Sequence, residues 1–284
     1  MSGIDSQPFV RIGPDRPTSP VVLSVPHAGR AYRPDLLGAA RLPRHLLESL
    51  EDRLVDRLVW RAAEAGAAGF VALAPRAEID LNREEREIDP ASVAPPLPSS
   101  SVNQSIRSRG GIGLIPTRIT GAGPIWTDRI TRAELGRRIV EIHRPYHRAI
   151  AEALEAARDR FGAAVLLDCH SMPPRGGPAA VVLGDRHGTS CAPDLVEAAA
   201  GAAAAAGFRT ACNHPYAGGY IVRRHGRPDS SIHALQIEID RSAYLDLELR
   251  APGPGFSAAC TLFANVAAAL SARVRDAEWP LAAE

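Results

Sequence analysis

Two short stretches combine chemically useful residue types with β-type surroundings: Asp168-Cys169-His170-Ser171-Met172-Pro173 and Gln236-Ile237-Glu238-Ile239-Asp240-Arg241. In residues 165–170 the period-two alternation of a strand sends Asp168 and His170 to one side and Cys169 to the other. A metal ligand, His170, then faces the same way as a carboxylate able to accept from a ligand's ring nitrogen. The alternative for Asp168 is a cap of the following turn. In residues 235–240 the same period sets Gln236, Glu238 and Asp240 on one face and Leu235, Ile237 and Ile239 on the other. We read the first stretch as holding a metal and the second as supplying a general base.

Other segments must bring partners to these strand ends. Val21-Val22-Leu23-Ser24-Val25-Pro26 is a β-type run, and His27-Ala28-Gly29 follows it directly. That is either a metal or substrate position at the carboxyl end of a strand, or an ordinary loop histidine. Residues 42–65 read as one helix, opened by Pro43 and closed by Gly66, with Leu47, Leu50, Leu54 and Leu58 as its apolar stripe. Asp52 and Asp56 lie four apart beside that stripe. They either carry one carboxylate to a strand-end site or form a solvated acidic face with Arg53 and Arg57. Glu51 falls inside the apolar arc and is the rival buried carboxylate. After a strand at 70–74, Ile79-Asp80-Leu81-Asn82-Arg83 ends another extended run on an amide and a guanidinium. That pair suits a carboxylate ligand, the alternative being a surface Arg beside the charges at 84–87.

Residues 89–120 are rich in Pro, Ser and Gly and are expected to form a lid over the site. Thr131-Arg132-Ala133-Glu134 has capping-box spacing and begins a helix to about residue 160, interrupted at Arg144-Pro145-Tyr146-His147. Further strands are expected at 179–183 and 232–240, a strand or loop at 218–226, and Ala-rich helices from Pro193 to Gly207 and over 256–273. Strands alternating with helices imply a three-layer α/β fold with a mainly parallel or mixed sheet.

The 284 residues can bury a sizeable core. A net charge of +1, with acidic and basic residues interspersed, argues against nucleic-acid or acidic-membrane partners and for a small neutral or anionic ligand. Cys169, Cys191, Cys212 and Cys260 contain no C-x-x-C pair and read as reduced thiols of a cytoplasmic protein. Residues 1–13 lack a secretion-signal pattern, and the longest apolar stretches read as interrupted well short of the ~20 residues of a membrane span.

Together these motifs resemble the N-formylglutamate amidohydrolases (N-formylglutamate deformylases) of histidine catabolism. The matching pieces are Ser24-Val25-Pro26-His27-Ala28-Gly29, Asp52 with Gly66, Asp80-Leu81-Asn82-Arg83 and Gly113-Leu114-Ile115-Pro116-Thr117. They continue with Arg144-Pro145-Tyr146-His147, Asp168-Cys169-His170-Ser171, Gly218-Gly219-Tyr220-Ile221 and His233-Ala234-Leu235-Gln236-Ile237-Glu238. The family is similar in turn to the zinc carboxypeptidases. That likeness implies an α/β/α sandwich of phosphorylase/hydrolase type around a mixed eight-stranded sheet, here as a single domain over 1–284. Carboxypeptidases carry a zinc Glu three residues after the first His, where this chain has Arg30; the family pattern points instead to Asp52. Where the deformylases tend to carry Arg-His-Tyr-Gly, this chain reads Arg223-Arg224-His225-Gly226.

The resemblance implies one Zn2+ per chain, or another divalent ion, on His27, Asp52 and His170, with Glu238 as the catalytic base. Asn82 and Arg83 would bind one substrate carboxylate, with Arg223 a candidate for the other and His225 a further contact. Asp168 would stand behind a zinc histidine. The implied reaction is hydrolysis of N-formyl-L-glutamate to formate and L-glutamate. The alternatives are a related zinc deacylase or carboxypeptidase acting on another N-acyl amino acid or peptide, and a non-catalytic ligand-binding relative. His45 and His143 read as helix-surface residues and His187 and His214 as loop residues. His147 and His233 match the family pattern without a derivable role, and the oligomeric state is not legible.

Overall fold

The computed structural model describes residues 7–177 and 179–277. Residues 1–6 of the N-terminal stretch read above, and Pro178, lie outside them. Seven strands form the main sheet: β1 (Phe9–Ile12), β2 (Val21–Val25), β3 (Ala68–Ala72), β4 (Ala164–Met172), β5 (Val181–Gly184), β6 (Thr210–Cys212) and β7 (Ile232–Asp240). Their order is β1-β3-β2-β4-β7-β5-β6. β2 runs parallel to β3 and β4, β4 to β7, and β5 to β6, while β5 and β7 are antiparallel. The expected mixed, largely parallel α/β sheet is therefore present, with seven strands among the described residues where the carboxypeptidase likeness implies eight.

All nine residues of β4 and all nine of β7 are buried. Strands of a largely parallel sheet are covered on both faces and read as nearly continuous apolar runs, so polar residues inside them are informative. Register aligns Ser24 with Asp168, Asp168 with Gln236, and His170 with Glu238. These five side chains therefore share one face, and Cys169 and Ile237 lie on the other. From β2 the chain steps outward to β3 on one side, whereas β4 is followed on its other side by β7, β5 and β6. The β2/β4 boundary is thus a topological switch point, where ligands of open α/β sheets bind beyond the carboxyl ends of the strands.

Residue contacts gather the chain into two compact units whose segments alternate in sequence. One is built on Pro26–Glu51 and Ala72–Arg148, the other on Arg11–Val25, Asp52–Val71 and the described residues from Ala149 onward. In the second unit the helix Phe256–Asp276 packs against Pro193–Ala205 and Trp60–Glu64. Its buried Ala259, Leu262, Phe263, Val266, Leu270 and Val274 recur at helical spacing. By length and composition this helix is apolar enough to cross a membrane, which corrects the reading that the apolar stretches fall well short of that length.

Three local expectations are overturned. Residues 42–65 are not one helix: the turns Arg44–Leu47 and Glu48–Leu50 end at Glu51, Leu54 adopts a left-handed φ of 63°, and helix resumes at Val55–Leu58 and Trp60–Glu64. A non-glycine residue there costs about 1–2 kcal/mol. Residues 79–83 are not the end of an extended run: Leu81 and Asn82 form a turn and Arg83 a bend, and the segment is tied by Asp80 N–H to Leu114 O at 2.8 Å. Residues Tyr220–His225, expected as strand or loop, form a short helix capped by Gly219.

The stretch 89–120 holds ordered pieces: the 3-10 turns Pro90–Ser92 and Ser99–Ser101, the short strand Val93–Ala94 and the helical turn Ile106–Arg109. Thr131 caps its helix as expected, its hydroxyl accepting from Glu134 N–H at 3.1 Å. The interruption that follows is a π-helical turn, Ile139–His143, between Arg132–Arg138 and Arg144–Phe161. Pro145, which has no N–H to donate, follows directly on the π turn.

His233 on β7 is buried, and its Nδ1 accepts from Ala192 N–H at 3.3 Å. Burial pushes its pKa down to about 4, against a smaller opposing pull from Asp194. Between about pH 6.5, the ordinary histidine value, and about pH 4, the unfolded chain binds a proton that the folded chain does not. The stability of the neutral ring is thus complete above about pH 6.5 and is lost as pH falls through about 4. In urea titrations the stability advantage of wild type over His233→Gln should shrink steadily from pH 7 to pH 4, and a pH-independent difference would contradict this.

Candidate metal centre

His170 emerges near the carboxyl end of β4 with carboxylates on both ring nitrogens. Nδ1 lies 2.9 Å from Asp52 Oδ2, and Nε2 lies 2.9 Å from Asp168 Oδ2. Burial alone would lower the pKa of this ring, but Asp168 and Asp52 outweigh it and hold it well above the ordinary histidine value. Both carboxylates are held in turn. Asp168 Oδ1 accepts from Ser24 Oγ at 2.8 Å, and Asp52 Oδ1 accepts from Arg241 Nη2 at 3.2 Å. Arg241 Nε also donates to Ser171 Oγ at 3.1 Å. Asp52 therefore occupies the helix break at 51–54 with its side chain fixed from two directions.

His27 follows β2 and is 2 % exposed. Its Nε2 lies 2.8 Å from Asp80 Oδ1. Asp80 also accepts from Arg76 Nε at 2.9 Å and from its own loop's Asn82 N–H at 2.9 Å. Burial opposes the charge on Asp80, yet Arg76, Arg83 and His27 hold its carboxyl well below the usual range.

His27, Asp52 and His170 each offer one ligand atom, and these atoms all lie within 4.8 Å of one another. Two imidazoles and one carboxylate are a donor set for a divalent transition metal. The carboxylate behind each histidine is the outer-shell arrangement that fixes ring orientation at metal sites. The residues present thus fit a metal. Glu51, the rival carboxylate, is also buried and accepts from Tyr32 OH at 2.8 Å.

Glu238 is buried on β7 beside His170 in register. Gln236 Nε2 donates to its Oε1 at 3.0 Å, and Gln236 Oε1 accepts from Gly219 N–H at 2.9 Å. The base candidate is therefore linked to the cap of the Tyr220–His225 helix. On that helix His225 is buried, whereas Arg223 is exposed and lies over the Tyr220 ring, 5.4 Å from its centroid. Asn82 and Arg83 are both buried, so Arg83 is not a surface residue. Its Nε donates to Ile112 O at 2.9 Å and its Nη1 to Asn82 O at 2.8 Å. Asp240, on the same face as Glu238, instead caps the next turn, accepting from Ser242 N–H at 2.8 Å.

The sequence reading missed four residues here. From sequence Asp80 reads as part of the substrate-carboxylate segment, and Arg76, Gln236 and Arg241 carry no role, although Gln236 shares the two-residue period of Glu238. His143, read as a helix-surface residue, is fully buried. His45 is exposed, and His187 and His214 are exposed loop residues, as expected.

Fold and site together define an α/β protein with a buried cluster of two histidines and a carboxylate that could hold a metal ion. The profile of the N-formylglutamate amidohydrolase family matches residues 19–245. The N-formylglutamate deformylase of Pseudomonas aeruginosa is 31 % identical over 237 residues, covering 80 % of this chain and 82 % of that protein. That of Pseudomonas putida is 31 % identical over 241 residues with the same coverage. A crystal structure of N-formylglutamate amidohydrolase from Ralstonia eutropha JMP134 superposes with a TM-score of 0.84 at 35 % identity, over 94 % of this chain and 97 % of that one. A gene product of Agrobacterium tumefaciens shares the fold, with a TM-score of 0.66 at 20 % identity over 96 % of this chain and 98 % of that one. The chain belongs to the N-formylglutamate amidohydrolase family.

Removing one partner of a buried, hydrogen-bonded ion pair leaves the other charge uncompensated and typically costs about 3–5 kcal/mol. In metal-free protein, Asp168→Ala is expected to lower the urea unfolding free energy by about that amount, with Asp168→Asn losing less. An Asp168→Ala variant within about 1 kcal/mol of wild type would contradict the role given to this carboxylate.

Proposed function

We propose that this chain hydrolyses the formyl amide of N-formyl-L-glutamate to formate and L-glutamate, with one divalent metal ion, zinc foremost, on His27, Asp52 and His170. The observation that carries the reading is the buried group of these three side chains in a chain of this family. Three protein ligands leave a position open for chemistry, as catalytic sites require. Bound there, the metal would polarise the formyl oxygen and make water a usable nucleophile at neutral pH.

The rest falls to the protein. Glu238 takes a proton from the attacking water as the new C–O bond forms, and passes it to the leaving nitrogen as the C–N bond breaks. Gln236 holds the Glu238 carboxylate for both transfers. Asp168 and Asp80 keep the rings of His170 and His27 oriented. Asn82 and Arg83 bind one carboxylate of the substrate, and Arg223 with His225 meets the other. Two anchors turn binding energy into orientation at the reacting carbonyl. Membership of this family supports a place in histidine degradation, and the four free cysteines suit a reducing compartment such as the cytoplasm.

The test is a panel of N-formyl, N-acetyl and N-succinyl amino acids assayed with zinc-loaded protein. N-formyl-L-glutamate should give the highest kcat/KM. Glu238→Gln should lower kcat by about 10²–10⁴-fold with the metal content unchanged. Preference for an acetyl or succinyl substrate would make the chain a different deacylase, and full activity in Glu238→Gln would remove the base from the mechanism.

A further inference from the structure

Three side chains of one helical run donate to backbone carbonyls of one loop. Arg138 Nη1 donates to Glu78 O at 2.7 Å, His143 Nε2 to Arg83 O at 2.9 Å, and His147 Nε2 to Leu81 O at 3.0 Å. A carbonyl can only accept, so both imidazoles carry their proton on Nε2 at this contact. Both rings are fully buried, and their centroids lie 4.4 Å apart.

The spacing explains the π-helical turn. Arg138 and His143 are five residues apart, which in an α-helix is about 500° of rotation and leaves the side chains roughly 140° out of line. A π turn closes i to i+5 bonds and brings such positions back onto one face. The turn Ile139–His143 spans this interval, and the α-helical step of four from His143 to His147 continues the line. One face of the run thus presents three donors to residues 78–83.

That loop carries Asp80, which bonds to His27, together with Asn82 and Arg83. It has no strand or helix of its own, so its carbonyls need outside donors. We propose that His143 and His147 are positioning residues that clamp the 81–83 backbone and so present Asn82 and Arg83 to a substrate carboxylate. The last clause rests on the substrate roles proposed above. The clamp itself does not.

The experiment compares His147→Asn, whose amide is too short to reach the Leu81 carbonyl, with His147→Gln, whose Nε2 falls near that of histidine, and makes the matching pair at His143. Two quantities are read on metal-loaded protein: exchange protection of the Asp80, Asn82 and Arg83 amides, and the steady-state constants for N-formyl-L-glutamate. Each Asn variant should lose protection in this loop by tenfold or more and raise KM by about tenfold with kcat changed less than threefold, and each Gln variant should restore most of both. Unchanged protection in both Asn variants would overturn the clamp, whatever the substrate. Lost protection with an unchanged KM, or no rescue by Gln, would overturn the presentation of Asn82 and Arg83. Wild type inactive on N-formyl-L-glutamate would instead strike the proposed function, and the exchange data would still decide the clamp.

Discussion

His170 is surrounded by carboxylate on both ring nitrogens and is almost entirely removed from water. Ionised groups survive burial only when they are paired and their remaining hydrogen-bonding capacity is met. That condition sets the surrounding structure. Asp168 has Ser24 from the neighbouring strand, and Asp52 has Arg241, which also reaches Ser171. The parallel register of β2 and β4 is what brings Ser24 to Asp168, because aligned residues of adjacent strands face the same way.

Backbone regularity gives way to the same requirement in two places. Residues 51–54 leave the helix so that Asp52 can be fixed by two partners, and Leu54 is held in the left-handed region. Residues 139–143 take a π turn, and the helical run then aligns Arg138, His143 and His147 on the loop of Asp80. Departures of this kind cluster at functional sites because only a surrounding network can hold them. Asp80 plays for His27 the part that Asp168 plays for His170, one carboxylate behind each imidazole.

Much of this was legible in the sequence where a period or a local motif carries the information. Alternation in β4 and β7 gives the faces of Asp168, His170, Gln236 and Glu238 directly, whereas the small residues after β2 left His27 open between a ligand and a loop residue. The interruption at 51–54 was not legible, because Leu47, Leu50, Leu54 and Leu58 keep helical spacing straight through it; apolar periodicity does not register a carboxylate that pulls the chain out of line. His143 read as surface because a continuous α-helix is the default, and one extra residue in a π turn rotates everything after it. Arg241 and Asp80 act through partners distant in sequence, Asp52 and His27, and no local signal announces such pairs.

His27, Asp52 and His170 are proposed to form one metal site. Titration calorimetry of metal-free wild type with Zn2+, alongside His27→Ala, Asp52→Ala and Glu51→Gln, decides whether they do. One ion should bind per wild-type chain, with binding weakened by at least about 100-fold in the first two variants and affinity near wild type in Glu51→Gln. Wild type that binds no ion, or Asp52→Ala that binds as well as wild type, would contradict it.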